Sequence, residues 1–161
     1  MVLPLVNLVQ SSKQQIEELT GSYKTVLSSY IVFKVKSLSE NIAFIIGEGA
    51  TILKTTDGGV SWNQQANPAM TILYDVSFND INTGTIVGNE GVILKTTDGG
   101  TNWVTQSSGT NNYLLGVSFA DENKGIAVGD SGIIIKTIDG GTNWIKQMIV
   151  EQLKGFMMST L

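Results

Sequence analysis

The chain has 161 residues, 42% hydrophobic and 15% charged, which describes a folded domain with its own core and excludes a disordered segment. Ten lysines against fourteen acidic residues leave a net charge of −4, unfavourable for a nucleic-acid partner. With no Cys, His or Arg, the chain has no disulfides, thiolate metal sites, imidazole base or bidentate guanidinium recognition of carboxylates and phosphates.

Residues 1–30 form an extension distinct from the rest of the chain. Met1–Val9 is apolar but lacks a basic leading region and a small-residue cleavage site, so it is not read as a signal peptide. Ser12-Lys13-Gln14-Gln15 resembles a capping box ahead of Ile16, Leu19 and Tyr23, which predicts a short helix. No stretch reaches the ~20 apolar residues that span a bilayer.

From residue 31 the chain repeats itself. Thr55-Thr56-Asp57-Gly58-Gly59-Val60-Ser61-Trp62 returns as Thr96 to Trp103 and again as Thr137 to Trp144, each copy 41 positions after the last. Gly47, Gly88 and Gly129 fall in the same register. Runs of β-branched and aromatic residues between Gly, Asn and Asp predict four short strands per unit, in the middle unit Leu73–Phe78, Gly84–Gly88, Val92–Thr97 and Asn102–Ser107. Four antiparallel strands in about 40 residues is the size of one propeller blade. The predicted fold is therefore all-β, with blades over 31–72, 73–113 and 114–148. Leu153–Met157 in the remaining 149–161 begins a further inner strand. Closed propellers use about 4–8 blades, so three leave the ring incomplete and the chain reads as part of a larger one.

The repeated phrase has a local physical logic. An Asp in a turn accepts hydrogen bonds from amides ahead of it. Paired glycines supply positive φ, and the Trp ring packs beneath the turn, burying on the order of 200 Å². On this reading Thr55, Asp57, Gly59 and Trp62 are a structural lock, as are Thr96, Asp98, Gly100 and Trp103, and Thr137, Asp139, Gly141 and Trp144. A row of catalytic or calcium-binding carboxylates is the competing reading, but a 41-residue period distributes them around a ring.

The phrase resembles the Asp-box, or bacterial neuraminidase repeat. The longer pattern Gly-x-x-Gly-x-Ile-Leu-Lys-Thr-Thr-Asp-Gly-Gly-x-x-Trp, over roughly residues 31–148, resembles the repeat of photosystem II stability and assembly factors. That resemblance implies a non-catalytic propeller scaffold for protein interaction or assembly, outside the cytoplasm in a secreted, periplasmic or thylakoid setting. The alternative it carries is a fragment of a secreted Asp-box glycoside hydrolase. Sialidases share the box but hold substrate with arginines, which this chain lacks. The resemblance also puts the box on the face away from the ligand.

Ligand contacts are then expected on the opposite face. Its loops join the second strand to the third (Glu48, Asn89, Glu90, Asp130) and link adjacent blades (Asn67–Thr71, Ser108–Tyr113). Tyr74, Asp75 and Tyr113 join that candidate set near the inner strand. No catalytic residue, metal or cofactor is assigned, although Asp75, Asp121 or Glu48 would supply carboxylates for glycoside hydrolysis. The expected partners are a protein or a glycan, with self-association as a route to completing the ring.

Overall fold

A computed structural model describes residues 31–147. The expected helix near residues 12–23 and the strand at 153–157 lie outside the described residues. Within them the chain forms twelve strands. The first sheet is β1 (Val32–Ser37), β2 (Ala43–Gly47), β3 (Ile52–Thr55) and β4 (Asn63–Gln64). The second is β5 (Leu73–Phe78), β6 (Gly84–Gly88), β7 (Ile93–Thr96) and β8 (Val104–Gln106). The third is β9 (Leu114–Phe119), β10 (Gly125–Gly129), β11 (Ile134–Thr137) and β12 (Ile145–Lys146). Each is an antiparallel meander with its strands in chain order.

The two inner strands of the middle unit have the predicted bounds. The outer ones are shorter: Val92–Thr97 contracts to Ile93–Thr96, and Asn102–Ser107 to Val104–Gln106. Two observations account for this. Val92 closes a tight turn after Asn89–Gly91, and Asn102 is used by the box. A very short outermost strand also offers little unpaired edge to another chain.

Alternation of side chains builds the core between sheets. In β6, Ile86 enters a cluster with Phe44, Ile46, Leu73 and Trp103, while Val87 enters the next cluster with Leu114, Val117, Ile135 and Trp144. Such residues are each worth about 1.5–3 kcal/mol of burial, so the middle blade is stabilised from both sides. The third is not. Ile126 and Val128 are 49% and 43% exposed, whereas their counterparts Thr85 and Val87 are 3% and 0% exposed. Three blades form an open arc, not a ring.

A repeat-to-repeat exchange explains one feature of this core. Phe78 and Phe119 lie against Gly84 and Gly125, where an added Cβ would fall 2.5 Å and 2.7 Å from the ring. In the first blade the pair is Ser37 and Ala43, with no ring, whereas Phe44 adds a second phenylalanine ring to the cluster between the first two blades, stacked on Phe78 at 4.8 Å.

Candidate interaction surface

At one end of the sheets the box residues bind their own hairpins. Thr55 Oγ1 donates to Asp57 Oδ1 (2.7 Å) and accepts from the amides of Asp57 and Gly59 (3.3 and 2.9 Å). Asp57 also accepts from the Ser61 amide (2.8 Å) and hydroxyl (2.6 Å). The later boxes use an amide side chain where the first uses Ser61: Asn102 donates to Asp98 at 2.7 Å and Asn143 to Asp139 at 2.8 Å. Both box glycines take positive φ, 71° and 90° at Gly58 and Gly59.

These bonds fix the charge state. The Ser61 hydroxyl and amide hold Asp57 at about 2, down from 3.8. The Asn102 amide and side chain do the same for Asp98, and the Asn143 side chain and amide for Asp139, each to about 2. Carboxylates this acidic, with their lone pairs already bonded, make poor proton donors.

The box turn is tied to the hairpin between the first two strands of its blade. Gly58, Gly99 and Gly140 donate to the carbonyls of Asn41, Asn82 and Asn123 at 3.0, 2.8 and 2.9 Å. A second tie crosses between blades. Lys54 Nζ donates to the Gly99 carbonyl at 2.7 Å, and Lys95 Nζ to that of Gly140. Lys136 is their counterpart in the third blade and is exposed. Sequence reasoning missed this latch. Its signal was a lysine recurring at one register position inside an apolar strand.

The opposite end carries the predicted contact residues. Glu48, Asn89, Glu90 and Asp130 all lie in the connections between second and third strands. Two of these connections are 3-10 turns, Asn89–Gly91 and Asp130–Gly132. Tyr113 precedes β9 and is 44% exposed. Of the candidates, Tyr74 and Asn89 are bonded through their side chains, hydroxyl to Oδ1 at 2.7 Å, and the Asp130 amide donates to the Tyr113 carbonyl at 3.0 Å. A shallow open cleft of about 320 Å³ beside Glu90 is bounded by Gly91, Val92, Gln106, Ser108 and Thr110. The backbone here is tight: Cβ atoms at Gly47, Gly88 and Gly129 would fall 2.1, 2.2 and 1.7 Å from the carbonyl oxygens of Ile31, Ile72 and Tyr113.

Asp75 is engaged in holding blades together. Its Oδ1 lies 3.0 Å from Lys34 Nζ of the first blade, and its Oδ2 accepts from the Val117 amide of the third at 3.0 Å. Asp121 stands at the box end, where it caps the amides of Asn123 and Lys124 at 2.9 and 2.7 Å. Most of a strand separates it from Asp75, roughly 10–15 Å at the usual rise per residue. Paired glycosidase carboxyls stand about 5–10 Å apart.

Comparison with known proteins agrees with this architecture. The family model for photosynthesis system II assembly factor YCF48 matches residues 22–105 and 60–159. Among solved structures, YCF48 from Cyanidioschyzon merolae is similar at TM-score 0.65 and 27% identity, covering 78% of this chain and 43% of that one. YCF48 bound to a D1 peptide gives TM-score 0.64 and 24% identity, over 73% of this chain and 39% of that one. An ancestral GH74 enzyme gives 0.61 and 16%, over 71% and 18%. At their identities the last two likenesses speak for the fold alone. This chain spans about two fifths of the length of the two YCF48 structures. No curated protein matches it in sequence.

Proposed function

The chain belongs to the family of the photosynthesis system II assembly factor YCF48, and from that premise we propose that it is a non-catalytic propeller scaffold that holds a polypeptide partner during assembly. The observation that carries this reading is the family match over both halves of the described blades. Support comes from the carboxylates. Those of the box are bonded within their hairpins, and Asp75 is a clasp between blades. Of the carboxylates the hydrolase alternative would use, Asp75 and Asp121 are both engaged.

The partner belongs on the end opposite the boxes. There Glu48, Tyr74, Asn89, Glu90, Tyr113 and Asp130 are the contact candidates. The open face of the third blade, with Ile126, Val128 and Lys136, is a second surface and takes a further blade, which self-association would supply. Calorimetric titration with a D1 peptide, the ligand of one related structure, tests the scaffold reading: saturable binding is expected, with no hydrolysis across a glycan panel. Glycan hydrolysis without peptide binding would reverse the assignment. Sedimentation tests self-association, and a monomer at all concentrations would remove it.

A further inference from the structure

The three innermost strands share one irregularity. β1 pairs with β2 through Val32↔Gly47 and then Lys34↔Ile46, leaving Phe33 unopposed. β5 pairs through Leu73↔Gly88 and then Asp75↔Val87, leaving Tyr74. β9 pairs through Leu114↔Gly129 and then Gly116↔Val128, leaving Leu115. A bulge disrupts the ladder locally and redirects a side chain, and such bulges are built features, frequent beside functional sites. Here the same bulge recurs at a 41-residue spacing and presents a large apolar side chain each time.

None of the three side chains is a core residue. Phe33 and Leu115 are 44% and 50% exposed, and Tyr74 is half-buried. The Phe33 and Tyr74 rings lie 5.5 Å apart, so the bulges of the first two blades adjoin, and β9, which carries Leu115, packs beside β5. Ile31 and Tyr113, two positions before Phe33 and Leu115 in the chain, are exposed as well. Core packing leaves this apolar surface unexplained.

The rim has one sign of charge. Fifteen positions after each bulge come Glu48, Asn89 and Asp130, and Glu90 follows Asn89. The Tyr74–Asn89 bond shows that the bulge side chain reaches this turn. In the third blade Leu115 has no hydroxyl, and the buried Asp130 Oδ1 has no hydrogen-bond partner. No basic residue occurs in the three turns, and nearby Lys34 is paired with Asp75.

We propose that Phe33, Tyr74 and Leu115, rimmed by Glu48, Glu90 and Asp130, dock an extended polypeptide segment of apolar side chains bearing positive charge. The apolar side chains of the segment lie on the strip, and its lysines, arginines or free amine face the carboxylates. This rests on the scaffold reading and specifies its partner's chemistry.

Fluorescence anisotropy of the full chain with two labelled decapeptides tests it. Both share an alternating Val/Leu core, one flanked by Lys and the other by Glu. The Lys-flanked peptide is expected to bind at least about tenfold more tightly. Leu115→Ser and Phe33→Ser should each weaken it about fivefold or more with unchanged melting, and Glu90→Lys should erase the charge preference. Ile126→Ser on the open blade face should leave binding intact. Equal binding of both peptides, no binding of either, or binding unaffected by Leu115→Ser and Phe33→Ser would overturn the strip. If a D1 peptide still binds the doubly substituted strip variant, the scaffold reading stands and only the strip falls.

Discussion

The two ends of each sheet are built by opposite rules. At the box end, Thr, Asp, Gly and Trp recur in all three blades, and the Thr hydroxyls and Asp carboxylates are consumed within the hairpin. At the other end the backbone is equally constrained, yet Phe33, Tyr74 and Leu115 differ from blade to blade and face outward. Invariance within one chain therefore marks the lock, and variation on a fixed backbone marks the surface. The repeat thus separates a constant lock from a variable surface along its strands.

The sharpest challenge to that contrast is Gly91, at the variable end. It has φ +71°, and a Cβ there would fall 1.9 Å from the Thr110 carbonyl oxygen. Gly91→Ala should cost about 3 kcal/mol or more in urea unfolding. A small loss would mean the loop end is soft in backbone as well as in side chains. Next comes the lock itself. Thr96 is buried, and its hydroxyl accepts from the amides of Asp98 and Gly100. Thr96→Val should destabilise by about 1–3 kcal/mol while leaving peptide affinity unchanged; lost affinity at full stability would give the box a functional role.

Acid supplies a gentler test. The three box carboxyls are depressed from 3.8 to about 2, so their contribution is fully present above the unfolded value and is lost as pH falls through that interval. The melting temperature should decline between pH 4 and 2, and Asp98→Asn should flatten that decline; an unchanged slope would separate the bonds from stability. The smallest effect is expected at Ala50, which takes the left-handed conformation (φ 62°) that Gly91 and Gly132 hold in the other blades. Ala50→Gly should gain roughly 0.5–1 kcal/mol, measured as a higher urea midpoint.

Much of the architecture was legible because the chain states it three times. The period located the blades, and Leu73–Phe78 and Gly84–Gly88 were bounded by Gly and Asn turn residues that admit few other conformations. The turn chemistry of Asp98 was legible for the same reason, since its partners lie within four residues. Contacts between blades were not. Asp75 looked like a surface carboxylate because its partners, Lys34 and Val117, are about 41 residues away in either direction. The bulges were hidden as well, because a slip in pairing register leaves Phe33, Tyr74 and Leu115 reading as ordinary strand residues.

The lysine latch gives the arc a direction. Lys54 secures the turn of the next blade along the chain, and Lys95 does the same for the third. Among the described residues no lysine reaches the Gly58 carbonyl, the corresponding point of the first blade. The second and third box turns are thus each fastened by the blade that precedes them in the chain, so losing a blade from the amino-terminal side would strip the next box of its clasp.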